Sequence, residues 1–476
     1  MTVAVGIDVG TTGVKALAVA PGGEVVARAE RLYPLSTPAP GWSEQDPELW
    51  WEASREALAE VSAGRDIAGV GLSGQMHGLV CLDRADRVIR PAILWNDQRT
   101  AAECAWIEER VGLERLIGLT GNRALTGFTA PKLLWLREHE PESYARIARI
   151  CLPKDYIRLR LTGEWAIDVA DASGTLLLDV GARTWSEPVT SELGIDPAWL
   201  PPVLESPDVS GRTAEGVPVA AGAGDCAAAA VGVGVVEPGP VSIVLGTSGV
   251  VFATLPRYQV EPEARVHAFC HAVPGRWHAM GVMLAAAGSL QWLHDVVAPD
   301  LDFATLTAEA EGWEPGAEGL VFLPYLQGER TPHADPEARG AFTGLSLRHD
   351  RGALVRAVLE GVAFGLRDSL ELLRALDATP AVARASGGGA RSDLWLRICA
   401  SVLGLTIERV AVDDGSAYGA ALLGAVAGGL FATVDEAAAT CVRVTGTVEP
   451  DPSWQAVYET VYPRFRELYP ALRPVQ

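Results

Sequence analysis

Three short segments of the chain combine small residues with groups that bind anions or move protons. The first is Asp8-Val-Gly10-Thr11-Thr12-Gly13-Val-Lys15, an acid at the end of an apolar strand followed by a tight polar turn into the next strand. Such a turn can aim backbone amides and hydroxyls at a phosphate, while Asp8 can hold Mg2+ through water. An ordinary hairpin, which needs only Gly and Thr, would have the same composition. The second segment, Gly246-Thr247-Ser248-Gly249, takes the equivalent strand-turn-strand position in the second half of the chain. Two such loops, one per half, could grip a polyphosphate from both sides of a cleft. The third, Gly387-Gly388-Gly389-Ala390-Arg391-Ser392, lies between a buried strand and a helix. Glycines there let a flat ring or a phosphate approach the backbone, and the helix N-terminus favours negative charge. A crowded strand-to-helix turn is the plainer account of the same residues. The pattern GxxxxGK[ST] does not occur, which excludes a P-loop.

Asp225 closes the apolar run VPVAAGAG and opens the Ala-rich stretch CAAAAVGVGV. An Asp in that place is commonly a helix N-cap. Two features point to chemistry instead: its neighbours are small, leaving room for a ligand, and it stands where a cleft opens at strand ends. The helix dipole is expected to keep it ionised at neutral pH, as a proton acceptor must be. Phosphoryl transfer asks mainly for positioning and charge stabilisation, plus one group to orient the nucleophile and take its proton.

The elements that must position these residues follow from the hydrophobic pattern. The first thirty residues alternate as an antiparallel meander, VAVGIDV, VKALAVA and EVVARAERLY. A helix is predicted over 47–62, opened by Asp46 as N-cap with Pro47 at its first position, and then a buried strand, IAGVGLS. A second cycle begins near Pro240 with VSIVLGTSGVVFATL. It continues through a helix over 352–376, a strand AVARASG, a helix over 392–403, a strand TIERV and a helix over 417–427. The plan therefore repeats at domain scale, giving an α/β protein of two related domains, 1–238 and 239–476, divided near Glu237-Pro238-Gly239-Pro240.

Composition narrows the partners. The chain of 476 residues is 49% hydrophobic and carries a formal charge of -21 spread along its length, which argues against nucleic acid and anionic membranes, since both need a basic face. An anionic ligand must then be met by amides, a metal ion or a few placed cations. Seven scattered cysteines without a CxxC pair fit a reduced, cytoplasmic setting, and the N-terminus has no basic region of the kind that opens a signal peptide. The apolar run over 217–236 has Asp225 near its middle, worth about 2.5–3.5 kcal/mol against insertion, so a buried strand and packed helix are expected there in place of a membrane span.

Taken together, these segments resemble the FGGY carbohydrate kinases. Gly127-Phe-Thr129-Ala-Pro-Lys132-Leu-Leu-Trp135-Leu-Arg-Glu138-His139 looks like the first signature of that family, and GWSEQDPELWW, SGQMHG, RPAILWND, LPKDYIRLRLTGE, LGTSGV and FLPYLQGERTPH look like its members that act on D-xylulose. The resemblance runs from Val3 to about Gly429. It implies two actin-like, ribonuclease-H-like domains flanking a cleft, MgATP as donor, and transfer to the 5-hydroxyl of D-xylulose. Asp225 matches the catalytic base and Asp8 the acid beside the phosphates and metal. Met76 and His77, within Gly74-Gln75-Met76-His77-Gly78, match the pair that contacts the sugar. Gly246, Thr247, Gly388 and Gly389 match nucleotide positions, with Gly10, Thr11, Thr12 and Lys15 in the first phosphate loop. Gln75, Trp95 and Asn96 are expected along the sugar pocket, and a homodimer is compatible with such an enzyme.

Two positions depart from the family pattern. Cys226 stands where an amide residue usually follows the catalytic Asp, and Ala353 where an acid or amide is expected on a helix. An actin-like ATPase that works as a conformational switch is the alternative class. The long segment between Ser73 and Arg212, with QMHG, WND and the first signature, has no place in such a switch. His267, Cys270, His271 and His278 are close enough in sequence to suggest zinc, but in a strand Cys270 would point away from His267 and His271.

Overall fold

The alternating run at the N-terminus forms three antiparallel strands, β1 (Thr2–Val9), β2 (Gly13–Val19) and β3 (Val25–Leu32), in the computed structural model, which describes residues 1–475. Asp46 caps helix α1 (Pro47–Ser62) by accepting from the Glu48 amide, with Pro47 at the first helical position. The next apolar run, β4 (Asp66–Gly74), then lies parallel to β1, with Asp8 opposite Ser73. The middle segment contributes α2 (Thr129–His139), α3 (Pro153–Thr162) and α4 (Val169–Ser173). The chain returns to the sheet through β5 (Val209–Arg212), β6 (Pro218–Ala220) and β7 (Ala223–Gly224). One strand was expected over 217–223. Gly222, at φ +87°, divides it into β6 and β7, both parallel to β4.

The second half repeats the plan. Strands β8 (Val241–Leu245), β9 (Gly249–Leu255) and β11 (Trp277–Met283) are antiparallel neighbours, with β10 (His267–Cys270) beyond β11. Strands β12 (Val382–Ser386) and β13 (Thr406–Val410) add in parallel on the other side of β8, and β14 (Val444–Val448) closes that edge. The order β3-β2-β1-β4-β6 in one sheet thus recurs as β11-β9-β8-β12-β13 in the other. This is the doubled ribonuclease-H-like arrangement that the sequence resemblance implied. The 217–236 run is strand followed by α5 (Asp225–Gly232), and no helix among the described residues is long and apolar enough to cross a membrane.

The long helix α6 (Arg351–Arg374) and α7 (Asp393–Leu403) cover the second sheet, burying Leu359, Phe364 and Trp395 with Ile243 and Leu245 in one apolar core. Ala353, the departure from the family pattern, is fully buried in the first turn of α6, where its amide donates to the capping Asp350 carboxylate at 3.1 Å. An acid or amide side chain there would complete a reciprocal cap, so the departure concerns the helix end and not the chemistry.

Helix α8 (Gly415–Ala427) is the last element of the second half to be built from small residues, and it packs on β1, β4 and α5 of the first. Its tightest contacts are backbone to backbone. A Cβ at Gly71 would come within 1.8 Å of the Ala420 carbonyl oxygen, and one at Gly419 within 1.8 Å of that of Ala228.

Candidate active site

The parallel register brings the acids together. Asp8 on β1 faces Ser73 on β4, Ser73 faces Ala223 on β7, and the next pair, Gly74 with Gly224, leads directly into Asp225. Asp8 and Asp225 therefore leave the sheet at the carboxyl ends of strands that flank β4. The Ser73 hydroxyl donates to Asp8 Oδ1 at 2.6 Å. Burial raises the Asp8 carboxyl, opposed by that hydrogen bond and by the Lys15 charge.

Asp225 differs from expectation in one respect. Gly224, not Asp225, occupies the N-cap, and the Asp225 carboxylate accepts from its neighbour Cys226, from the amide N at 2.8 Å and from the thiol. Burial and the Asp8 charge outweigh those bonds and push the Asp225 carboxyl up to about 7. The helix dipole does not keep it fully ionised at neutral pH; the carboxyl sits instead where it can take and release a proton.

The first phosphate loop is closed by Gly10 N donating to Gly13 O at 3.0 Å and is held from below by a chain of amides and indoles. Trp95 Nε1 donates to Thr11 Oγ1 at 3.0 Å, Thr11 Oγ1 to Gln75 Oε1 at 3.2 Å, and Gln75 Nε2 to Gly10 O at 3.3 Å. Trp95 and Gln75, expected along the sugar pocket, thus brace the phosphate loop as well. Thr12 is exposed. The Lys15 ammonium is engaged with Asp414 at 2.9 Å, and Arg28 meets the other oxygen of the same carboxylate at 3.0 Å.

In the second half, Val244 of β8 pairs with Ser386 of β12, so the loops Gly246-Thr247 and Gly387-Gly388-Gly389 leave the sheet side by side. At the start of the helix Ala287–Val297, the Gly246 carbonyl accepts from Ala287 N at 2.8 Å and the Thr247 carbonyl from Ala286 N at 2.8 Å and Gly288 N at 3.1 Å, while Thr247 and Ser248 are exposed. Gly388 has open space where a Cβ would stand, whereas Gly389 packs on Leu245 and Trp395. Asp413 and Asp414 sit between the two halves. Asp413 accepts from Gly387 N at 3.4 Å and pairs with Arg391 at 3.3 Å, while Asp414 holds Lys15. Lys15 of the first loop and Gly387 of the third therefore meet Asp414 and Asp413 just before the N-terminal end of α8.

On the sugar side, Met76 is buried against Gly224, where a Cβ would meet its Cγ at 2.7 Å. His77 follows with a left-handed backbone, its Nδ1 2.6 Å from the Gly174 carbonyl oxygen and its ring edge-on to Phe128 at 4.7 Å. Burial holds the imidazole uncharged, pushed down to about 3. Cys226 is partly exposed and packs beside the apolar cluster that contains Met76 and Phe128. Asn96 Oδ1 is buried without a hydrogen-bond partner.

Several groups here were not singled out in the sequence. Lys132, inside the first signature, donates to His77 O at 3.0 Å and to Gly127 O at 2.6 Å. Arg330, in the GERTPH segment, makes no hydrogen bond or ion pair through its guanidinium among the described residues, and its charge lowers the proton affinity of His77, His267 and Cys226. Lys154 is fully buried among Asp155, Asp168 and Asp171, at 2.5, 2.7 and 3.1 Å, with Arg158 on Asp155 at 3.0 Å. Burial raises Asp168 and, more strongly, Asp171 above the usual carboxylate range, opposed by the Lys154 charge. These carboxylates could have suggested a metal, but the Lys154 ammonium already sits among them. The network braces α4, next to the Gly174 that holds His77. Of the residues that could suggest zinc, His267 bonds Asn122 at 2.6 Å, His271 bonds Val235 O at 3.0 Å and Cys270 bonds Val180 O at 3.4 Å, while both ring nitrogens of His278 are buried without a hydrogen-bond partner among the described residues.

Known proteins share this plan and these loops. The model of the FGGY family of carbohydrate kinases, N-terminal domain, matches residues 3–232, and that of the C-terminal domain matches residues 241–428. A xylulose kinase of Escherichia coli (strain K12) is 43% identical over 99% of both chains. A crystal structure described as a xyloylose kinase from Brucella ovis is 42% identical over 100% of both chains with a TM-score of 0.93. A gluconate kinase from Lactobacillus acidophilus superposes with a TM-score of 0.94 at 27% identity, covering 99% of this chain and 98% of that one. Two strand-end acids, paired strand-turn-strand loops and family models over both halves lead to one conclusion: the chain belongs to the FGGY family of carbohydrate kinases, enzymes that phosphorylate sugars with ATP.

Proposed function

We propose that the protein transfers the γ-phosphoryl group of ATP to the 5-hydroxyl of D-xylulose, with Asp225 as general base. The xylulose kinases among its relatives support the sugar, and the position and proton affinity of Asp225 support the base. The sugar oxygen attacks the γ-phosphorus as its proton passes to Asp225, and the bond to the β-phosphate oxygen breaks to release ADP. Gly10, Thr11 and Thr12 on one side and Gly246 and Thr247 on the other would receive the phosphates, and Gly388 and Gly389 the adenosine. Met76, His77, Asn96 and Cys226 would line the sugar pocket, with Asp225 at its floor.

Asp8 and Asp225 also fit a divalent cation. Asp8 has one oxygen on Ser73 and no hydrogen-bond partner in the described chain for the other, and its charge raises Asp225. Mg2+ held by Asp8 would neutralise phosphate charge during transfer. We take Glu237–Pro240 as the division between the sugar-binding and nucleotide-binding domains.

A kinase for another polyol, ketose or aldonate is the second reading, favoured by the close superposition of the gluconate kinase. Turnover of ATP against a panel of pentuloses, polyols and aldonates separates the two. D-xylulose should give the highest kcat/KM, and a higher value for an aldonate would replace the proposed substrate.

A further inference from the structure

His77 has φ +70°, a conformation that a residue with a Cβ rarely holds without support. The support comes from α2. Lys132 Nζ and Thr129 Oγ1 both donate to the His77 carbonyl at 3.0 Å, and Lys132 Nζ donates also to Gly127 O at 2.6 Å. Both side chains belong to fully buried residues. The imidazole is fixed in turn: Nδ1 lies 2.6 Å from the Gly174 carbonyl oxygen, which can only accept, so Nδ1 carries the proton. Nε2 is left as a lone-pair acceptor with no partner in the described chain. A Cβ at Gly174 would stand 2.5 Å from Nδ1, so the ring has little freedom to turn away.

We infer that Lys132 and Thr129 are positioning residues which, by gripping the His77 carbonyl, aim His77 Nε2 as an obligate hydrogen-bond acceptor at a sugar hydroxyl. This rests on the assignment of His77 to the sugar pocket and deepens it. A hydroxyl at that place donates to Nε2, whereas a carboxylate or carbonyl oxygen there meets its lone pair and is rejected. Burial lowers the Lys132 ammonium to about 7, yet an amine donates to two carbonyls in either charge state, so the grip survives titration.

The test is a mutant cycle with Lys132→Met, His77→Ala and the double variant, measuring kcat and KM for the ketose and KM for ATP. Lys132→Met should raise the ketose KM about 10- to 100-fold, the range for leaving a buried hydroxyl unpaired once Nε2 is no longer aimed at it, with the ATP KM unchanged. In the His77→Ala background the same change should move the ketose KM less than about threefold, because the group it positions is gone. The same large factor in both backgrounds, or an equal rise in the ATP KM, would overturn the inference. If Lys132→Met does not fold, Thr129→Val removes one of the two donors and carries the same cycle with a smaller factor. An unchanged ketose KM in His77→Ala would overturn the assignment of His77 itself, a failure distinct from multiplicative behaviour in the cycle.

Discussion

Ser416 Oγ lies 3.3 Å from the carbonyl oxygen of Asp225, so the first turn of α8, built by the second half of the chain, holds the residue that opens α5 in the first. The Ser416 carbonyl oxygen is in turn 3.3 Å from the Ser73 hydroxyl that serves Asp8. Both acids are thus fixed to one frame formed where the two halves meet. Burial first, and then the like charge of Asp8 that rigid elements hold in place, raise the proton affinity of Asp225.

Asp225→Asn tests the base and its cost together. Sugar-dependent turnover should fall about 10²–10⁴-fold, while nucleotide affinity stays near that of the parent. Folding keeps the Asp225 proton up to about 7, against an ordinary value of 3.8, so this group's contribution to stability falls as pH rises between those values. Asn carries no such charge. The thermal midpoint of the variant, relative to the parent, should therefore rise more at about pH 8 than at about pH 4. A loss of turnover below tenfold would remove Asp225 from the role.

Asp8→Asn should move the acidic limb of the kcat/KM profile to lower pH. The Asp8 charge is the second cause of the raised Asp225 proton affinity, and removing it lets Asp225 ionise earlier. The same variant should need more Mg2+ for half-maximal rate, and chelation should abolish turnover in the parent. A limb that stays in place with an unchanged Mg2+ titration would separate Asp8 from both effects.

Much of this site was legible because local pattern and register carry it. Asp46 with Pro47, the two strand-turn-strand loops and the glycine run before α7 are decided by neighbours in sequence, and each appears where its pattern places it. What escaped was decided across distance. The ionisation of Asp225 depends on Asp8, 217 residues earlier, which no helix-dipole argument includes. Lys15 reads as a phosphate ligand, and only the fold shows its ammonium meeting Asp414 from the other half. Lys132 and Lys154 look like surface charges in a helical pattern, and only the fold shows them buried on carbonyls and carboxylates.

Cys226→Asn addresses the residue beside the base. Its thiol is partly exposed yet packs next to the cluster of Met76 and Phe128, so an amide can reach the pocket while its stem stays covered. One added hydrogen bond to a sugar hydroxyl is worth about 0.5–1.5 kcal/mol net, a severalfold fall in the ketose KM. Unchanged or weaker affinity with a lowered thermal midpoint would assign Cys226 to the core.

Arg330→Gln probes the guanidinium that the chain leaves without a partner. The Arg330 amide donates to the Glu329 carboxylate at 2.7 Å, which also accepts from Leu284 N at 3.1 Å, so the loop is anchored while the side chain remains available. Its charge reaches His77 and Cys226, which places it toward the sugar pocket. Loss of a charged donor to the sugar or to the transferring phosphoryl group should lower kcat/KM for the ketose about 10- to 100-fold. A value within twofold of the parent would leave Arg330 outside the pocket.

Gly419→Ala tests whether the base is positioned through the junction of the halves. Gly419 of α8 meets α5 with no room for a side chain: its Cβ would fall 1.8 Å from the Ala228 carbonyl oxygen, one turn beyond Asp225. The obstacle is backbone in a helix and cannot swing aside, so α8 and α5 must separate. Overpacking of this kind costs about 1–3 kcal/mol, and the variant should unfold at lower denaturant concentration with an unchanged slope. Separation would also draw Ser416 from the Asp225 carbonyl and shift the base, so kcat should fall more than either KM. Small-angle scattering with ADP and ketose should show less compaction than in the parent, because these helices are where the halves would turn against each other on closing. If stability falls but kcat and compaction do not change, the crossing is a structural contact alone and Asp225 is positioned by β7 and its own sheet.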